Sequence, residues 1–285
     1  MSKAFSFTPD FSPVNSEQLW GIMGGMGPLA SAEFVKTIYE LCPEDQEQVA
    51  PPLVLWSDPR MPDRTDCILD GRQDLLLEKL TAGLERLVAC DVTDIVICCV
   101  TIHQVTDLLP RHLRSKIISL LDVIFEGVLK SRRRYLLLCT SGTRKVGLFE
   151  SHRLWNSTKG SIVLPAEKDQ ARIHELIYRI KQHEHCSADI EFLNELVESY
   201  EVDSFIAGCT EIHVLVRDYG LARGFAQTGP CVDPLMVVAR MISQSTLSAS
   251  VGRSAEGAVY ENQGASPDFV GTSPLEKHQR NAKQP

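Results

Sequence analysis

Two short apolar runs that end in a cysteine repeat one another along the chain. Ile95 to Gln104 reads IVICCVTIHQ, and Phe205 to Val214, 110 residues later, reads FIAGCTEIHV. Aligned on Cys99 and Cys209, each run places an isoleucine three residues on and a histidine four residues on: Ile102 and His103, then Ile212 and His213. A short apolar run leading into a helical pattern reads as a buried parallel strand, with the cysteine at its carboxyl end. Ligands of open α/β sheets bind at that edge. The repeat therefore predicts two similar halves whose two thiols face one small molecule.

The stretches between the two runs carry a matching rhythm. Gln18 to Met23 reads as a strand that enters the turn Gly24-Gly25-Met26-Gly27-Pro28, and Leu29 to Leu41 follows with helical spacing, stopped by Pro43. Val54 to Ser57 is a second strand, Asp58 to Thr65 a loop, and Asp74 to Cys90 an amphipathic helix feeding the strand that ends at Cys99. In the second half the strands are Tyr135 to Cys139 and Ile162 to Leu164, and helical patterns run from Gly147 to Trp155, Asp169 to Lys181 and Ala188 to Tyr200. Such alternation implies an α/β fold of doubly wound parallel sheets with right-handed crossovers. Cys231 to Asp233 reads as a strand end, and Leu235 to Ile242 as a closing helix that returns to the first lobe. The expected organisation is an extension over 1–17, a first lobe over 18–120 plus 228–243, a second lobe over 121–227, and a disordered tail over 244–285 rich in Ser, Gly, Ala, Asn and Gln.

Charge and cysteine content narrow the partners. A net charge of -8, with no basic block longer than Arg132 to Arg134, argues against nucleic acid and anionic membrane surfaces, which need a basic footprint. No apolar run approaches the ~18 to 20 residues of a membrane helix. The nine cysteines are odd in number, show no zinc-like Cys-x-x-Cys pair and follow no signal-like leader, which points to free thiols in a reducing cytoplasm. A small molecule is the expected partner.

Cys99 and Cys209 are the residues with the strongest chemical case. Inverting an amino-acid α-carbon needs a base on one face and an acid on the other, and two thiols supply both. An unperturbed thiol, of pKa about 8.5, is only partly ionised at pH 7, and a helix N-terminus just beyond it favours the thiolate. The remaining cysteines (Cys42, Cys67, Cys90, Cys98, Cys139, Cys186 and Cys231) read as small buried side chains, with Cys98 pointing to the opposite side of its strand from Cys99. The glycine turn departs from the dinucleotide fingerprint, so its amides around Met26 and Gly27 suit a carboxylate better than a nucleotide, unless the turn merely joins strand to helix. Arg64 offers a planar fork for a carboxylate, against the plainer reading of an exposed loop arginine. Thr101, Thr210 and Glu211 sit at helix starts, where they either cap the helix or hold the substrate's ammonium and carboxylate. No histidine pair has metal-ligand context, so no metal is expected.

Four ordered motifs carry a resemblance. GIMGGMGPLAS from Gly21 to Ser31, DPRMPDRT from Asp58 to Thr65, TSGT from Thr140 to Thr143 and GCTEIH from Gly208 to His213 resemble the aspartate/glutamate racemase family, its aspartate branch in particular, from about Leu19 to Ile242. The resemblance implies a cofactor-independent amino-acid racemase of two pseudo-symmetric α/β domains with an interdomain active-site cleft, usually a homodimer. It places the catalytic pair on Cys99 and Cys209 and substrate binding on Arg64, on Lys181 in IYRIK, on Thr101 and on Glu211. Through its motifs it adds Met26, Gly27, Thr140, Thr143 and Thr210. Where the family commonly reads Cys-Asn-Thr-Ala-His, this chain has Val100 and Ile102, so Val100 is expected to present an apolar wall to the substrate. The expected activity is interconversion of L- and D-aspartate or glutamate. The rivals are a related isomerase with a less acidic or hydantoin-like substrate, and a binding protein without catalysis, against which the two retained thiols argue.

Overall fold

Among the described residues, seven parallel strands pair into two separate sheets. The computed structural model describes residues 18–42, 47–219 and 231–244. In the first sheet, β1 (Trp20–Gly24), β2 (Leu53–Ser57), β3 (Asp94–Ile97) and β4 (Ile117–Ile118) lie in the order β2-β1-β3-β4. Ile22 stands opposite both Leu55 and Val96, so β1 is central. In the second sheet, β5 (Tyr135–Leu138) lies between β6 (Ile162–Val163) and β7 (Ser204–Ala207), and Leu137 faces Ile206. β1, β5 and β7 are buried at every residue, as strands covered on both faces must be, and this explains their near-continuous apolar sequences. Val232 adds a single parallel bridge to Ile206 at the free edge of β7.

Helices fill the crossovers. They are α1 (Pro28–Glu40), α2 (Arg64–Leu69), α3 (Gln73–Val88), α4 (Arg111–Arg114) and α5 (Leu120–Ser131) around the first sheet. The second sheet has α6 (Ser141–Lys145), α7 (Trp155–Thr158), α8 (Glu167–Lys181), α9 (Ser187–Ser199) and α10 (Glu211–Asp218), followed by α11 over residues 234–244. Short 3-10 turns occupy Glu47–Val49 and Thr101–Leu108. One apolar cluster joins Trp20, Ile22, Phe34 and Ile38 to Leu137 and Phe149 of the second half and to Leu235, Val238 and Ile242 of α11. Burying each such side chain contributes about 1.5 to 3 kcal/mol. The returning helix therefore stitches the halves together through the largest shared core.

The observed elements depart from the expected ones in several places, α4, β4 and α6 among them. The expected loop over Asp58 to Thr65 ends early, in a helix over Arg64 to Leu69, because the Asp63 side chain accepts from the Asp66 N–H at 3.1 Å and caps it. α5 is an additional helix, capped by Ser119, whose side chain accepts from the Asp122 N–H at 3.1 Å, and it buries Leu120, Leu121, Val123, Ile124, Phe125 and Val128. Gly147 to Leu154 is not helical: α6 stops before Gly147, which takes a positive φ of 62°, and the chain turns until α7 starts at Trp155. The expected extension over 1–17 and the lobe segment 228–230 lie outside the described residues. Of the expected tail, Gln244 ends α11 and the rest lies outside them.

Candidate active site

Each repeated strand delivers its cysteine to one cleft. Cys99 lies two residues past β3 and Cys209 two residues past β7, each 5% exposed, and both line a cleft with about 220 Å3 of empty space. Their surroundings differ. Cys99 leads into the 3-10 turn, whereas Cys209 leads into α10, whose first residue is Glu211. Cys209 Sγ donates to Glu211 Oε2 at 2.8 Å. Burial, followed by the Glu211 charge, pushes the Cys209 thiol well above its ordinary value, with Lys181 opposing.

The glycine turn meets that carboxylate. Gly25 has φ of 91°, and a side chain there would collide with the Asp58 backbone at 2.4 Å, so only glycine serves. Gly27 caps α1 ahead of Pro28, and a Cβ on it would fall 2.4 Å from Glu211 Oε1. Glu211 is 2% exposed, and Oε1 has no hydrogen-bond partner. A buried acceptor left open costs about 1 to 3 kcal/mol, so it marks a place where a donor belongs.

Cations enter the cleft from both halves. Arg64, first residue of α2, is 9% exposed; Nη1 donates to Pro62 O at 3.0 Å and Nη2 to Met26 O at 2.9 Å. Those bonds fix the guanidinium plane. Burial works against its charge, but the surrounding Cys99, Asp63, Glu211 and Cys209 outweigh it and hold the group above its ordinary value. Lys181, last residue of α8, sets its ammonium 4.0 Å from the Tyr178 ring centre. Tyr178 in turn donates to Asp63 Oδ2 at 2.8 Å, a bond between the two halves. Asp63 is held below its ordinary range: burial opposes ionisation, but the Asp66 N–H, the Tyr178 hydroxyl, Arg64 and Lys181 together prevail.

Threonine hydroxyls close the remaining wall. Thr101 and Thr140 line the cleft, and Thr143 lies behind them, its Oγ1 2.9 Å from Thr101 Oγ1 and 3.1 Å from Thr140 Oγ1. Thr210 does not line the cleft. Its hydroxyl donates to Cys98 O at 3.1 Å, again across the halves. Met26, Arg64, Thr101, Thr140, Lys181, Glu211 and both thiols are thus brought together as expected. Asp63 and Thr65 also line the cleft, although only their membership of the PDRT motif beside Arg64 signalled them.

Val100 requires a correction. Its side chain is 1% exposed and packs with Trp20, Phe34 and Cys98 in the shared core, so it offers no wall to a ligand. Cys99 belongs to the opposite cluster, with Ile95, Ile97 and Ile102. His103 is also buried; burial pushes its imidazole down to about 4, and its Nε2 has no partner. Among the other thiols, Cys90 and Cys186 are exposed and Cys42 and Cys231 half-buried, whereas Cys67, Cys98 and Cys139 are buried as expected; all nine cysteines are free. No group of three metal-ligating side chains occurs among the described residues, and no described helix is long and apolar enough to cross a membrane.

Comparison with known proteins supplies the context for this geometry. The broad specificity amino-acid racemase RacX of Bacillus subtilis (strain 168) is 21% identical over 202 residues, 69% of this chain and 86% of that protein. The Picrophilus torridus aspartate racemase superposes with a TM-score of 0.67 at 22% identity, over 80% of this chain and 94% of that one. An aspartate racemase homologue from Pyrococcus horikoshii OT3 gives 0.58 at 18% identity, over 81% and 99%. Residues 23–242 match the Asp/Glu/Hydantoin racemase family as a whole, most of the chain from the glycine turn to α11. The chain therefore belongs to the Asp/Glu/hydantoin racemase family, a family of isomerases.

Proposed function

We propose that the protein racemises a small acidic amino acid, aspartate first and glutamate second, with Cys99 and Cys209 as its acid and base. The observation that carries this reading is the arrival of both duplicated cysteines in one cleft that also holds Arg64, Lys181 and a carboxylate with an open oxygen. One thiolate takes the α-hydrogen as a proton, and the electron pair of the broken C–H bond spreads into the α-carboxylate. The other thiol then gives its proton to the opposite face, leaving the two sulfurs with exchanged protonation. Arg64 and Lys181 hold the substrate's two carboxylates, and the Thr101 and Thr140 hydroxyls add donors. Glu211 Oε1 receives the ammonium, while Oε2 keeps the Cys209 proton in place between turnovers. A less acidic substrate loses the support of Val100 and Ile102, which belong to the core. A cytoplasmic homodimer completes the reading, and sedimentation of the full chain measures its assembly.

The test is α-proton exchange. Incubation with single L-amino acids in deuterated water, followed by proton NMR, should show loss of the α-signal and growth of the D-enantiomer with aspartate or glutamate. Cys99→Ala and Cys209→Ala should each abolish racemisation, with slow exchange of one enantiomer persisting in at most one direction. Ordinary racemisation by Cys209→Ala would rule out the two-thiol reaction.

A further inference from the structure

His213 lies behind the cleft, at the meeting of α1, α10 and the start of α11. It is fully buried, with Nδ1 2.6 Å from Asp233 Oδ2 and Nε2 3.1 Å from Thr37 Oγ1. A carboxylate only accepts, so Nδ1 donates to Asp233, and with the proton on Nδ1 the Nε2 atom accepts from the Thr37 hydroxyl. Asp233 also caps α11, its Oδ1 accepting from Leu235 N–H at 3.0 Å and Met236 N–H at 3.2 Å. Phe34 meets the ring edge-on at 6.4 Å. On the solvent side of the same contact, Arg217 of α10 pairs with Glu40 and Glu33 of α1. The two helices are clasped at two depths. A hydroxyl, imidazole and carboxylate in series also describes hydrolase nucleophiles, but Thr37 is 0% exposed and no substrate reaches it. Its function is mechanical.

What the clasp holds is visible at the cleft ends of the same helices. α1 starts from Gly27 and α10 from Glu211, two residues before His213. Glu211 accepts the Cys209 proton through Oε2 while Oε1 lies so close to Gly27 that one added carbon would collide with it. A small slip of α10 along α1 changes both contacts together.

We propose that His213 is a positioning residue for the Cys209 arm of the reaction: by tying Thr37 to Asp233 it sets α10 against α1 and holds the Glu211 carboxylate on the Cys209 thiol. The catalytic consequence rests on the two-thiol reading above, whereas the effect on the thiol does not. Thr37→Val keeps the side-chain shape and removes the hydroxyl, and Thr37→Ser restores it. Alkylation of the native protein by iodoacetamide, followed at Cys99 and Cys209 by peptide mass spectrometry across pH, reads the contact directly. With Glu211 loosened, Cys209 in Thr37→Val should react about tenfold faster at a fixed pH below its titration, Cys99 should be unchanged, and Thr37→Ser should behave as wild type. Where amino-acid turnover is measured, the α-deuterium isotope effect on kcat/KM should rise for the enantiomer that gives its proton to Cys209 and fall for the other. General weakening of the fold would move both thiols alike. Unchanged Cys209 alkylation in Thr37→Val, or equal changes at both cysteines, overturns the proposal. Should Thr37→Val not fold, Asp233→Asn carries the same readout. A wild-type protein that exchanges no amino-acid α-proton would end the racemase reading, and the alkylation result would still decide the role of His213.

Discussion

Arg64 shows how much of the site rests on single atoms. Its fork is already held by Met26 O and Pro62 O, so in the proposed reaction a substrate carboxylate would meet a guanidinium that needs no reorganisation. A charged hydrogen bond of this kind contributes about 1.5 to 3 kcal/mol, and Arg64→Ala should lower kcat/KM for aspartate roughly ten- to a hundredfold, with Arg64→Lys rescuing only part. Unaltered kinetics would assign Arg64 a purely structural role. Gly27→Ala tests the other side of the cleft. Its new carbon would displace Glu211 Oε1, 2.4 Å away, and kcat should fall about tenfold or more, equivalent to ~1.4 kcal/mol, in a protein that still melts cooperatively. The sequence disclosed both thiols through their duplicated context, yet Val100 was misplaced. Cys98 and Val100 lie in one core cluster and Cys99 in the opposite one, so the alternation that sends Cys98 away from Cys99 continues through Val100 although the chain there has left β3 for a helical turn.

Helices were legible where a long apolar stripe existed and obscure where a cap decided the matter. α1, α3, α8 and α9 follow 3.6-residue periodicity over thirteen to sixteen residues, and their observed limits fall close to the expected ones. α2 has six residues, too few for a period, and exists through the Asp63 cap. α5 was obscured by the opposite property: Leu120, Leu121, Val123, Ile124 and Phe125 are apolar on nearly every side, because the helix packs inside the shared core. Its start depends on Ser119. Ser119→Ala should therefore lower the stability to urea by about 1 kcal/mol while leaving racemase kinetics in place, since Ser119 does not line the cleft. An unshifted urea midpoint would show that the flanking core alone fixes the start of the helix.

Across the whole molecule, acid should unfold the protein in two stages. His103 is buried neutral, with its imidazole pushed from 6.5 down to about 4. The unfolded chain binds this proton first, so the contribution of His103 is complete above about pH 6.5 and is lost as the pH falls toward 4, up to about 3 kcal/mol. Asp122, held down to about 2 by the His152 bond against burial and further by Arg153, loses its contribution only between 3.8 and about 2. His103→Leu should flatten the Tm curve between pH 6.5 and 4 and leave the lower stage intact. A wild-type Tm that does not change across the upper window would contradict the neutral, buried imidazole. His103 stood out only as a histidine one turn past the first thiol; neither its burial nor the pairing of Asp122 with His152 and Arg153 was legible beforehand, because both form only in the assembled fold.

The bond from Cys209 to Glu211, whose counterpart two residues after Cys99 is Thr101, would give the proposed two-thiol reaction a memory. If the proposed reaction holds, the resting proton sits on the second sulfur, and the empty enzyme would be primed for the enantiomer whose α-hydrogen faces Cys99. Each turnover leaves it primed for the opposite hand. Before a second molecule of the first kind can react, the proton must return by way of solvent. At saturating substrate this resetting competes with chemistry for control of the rate, and two nearly identical halves become a device with a left and a right.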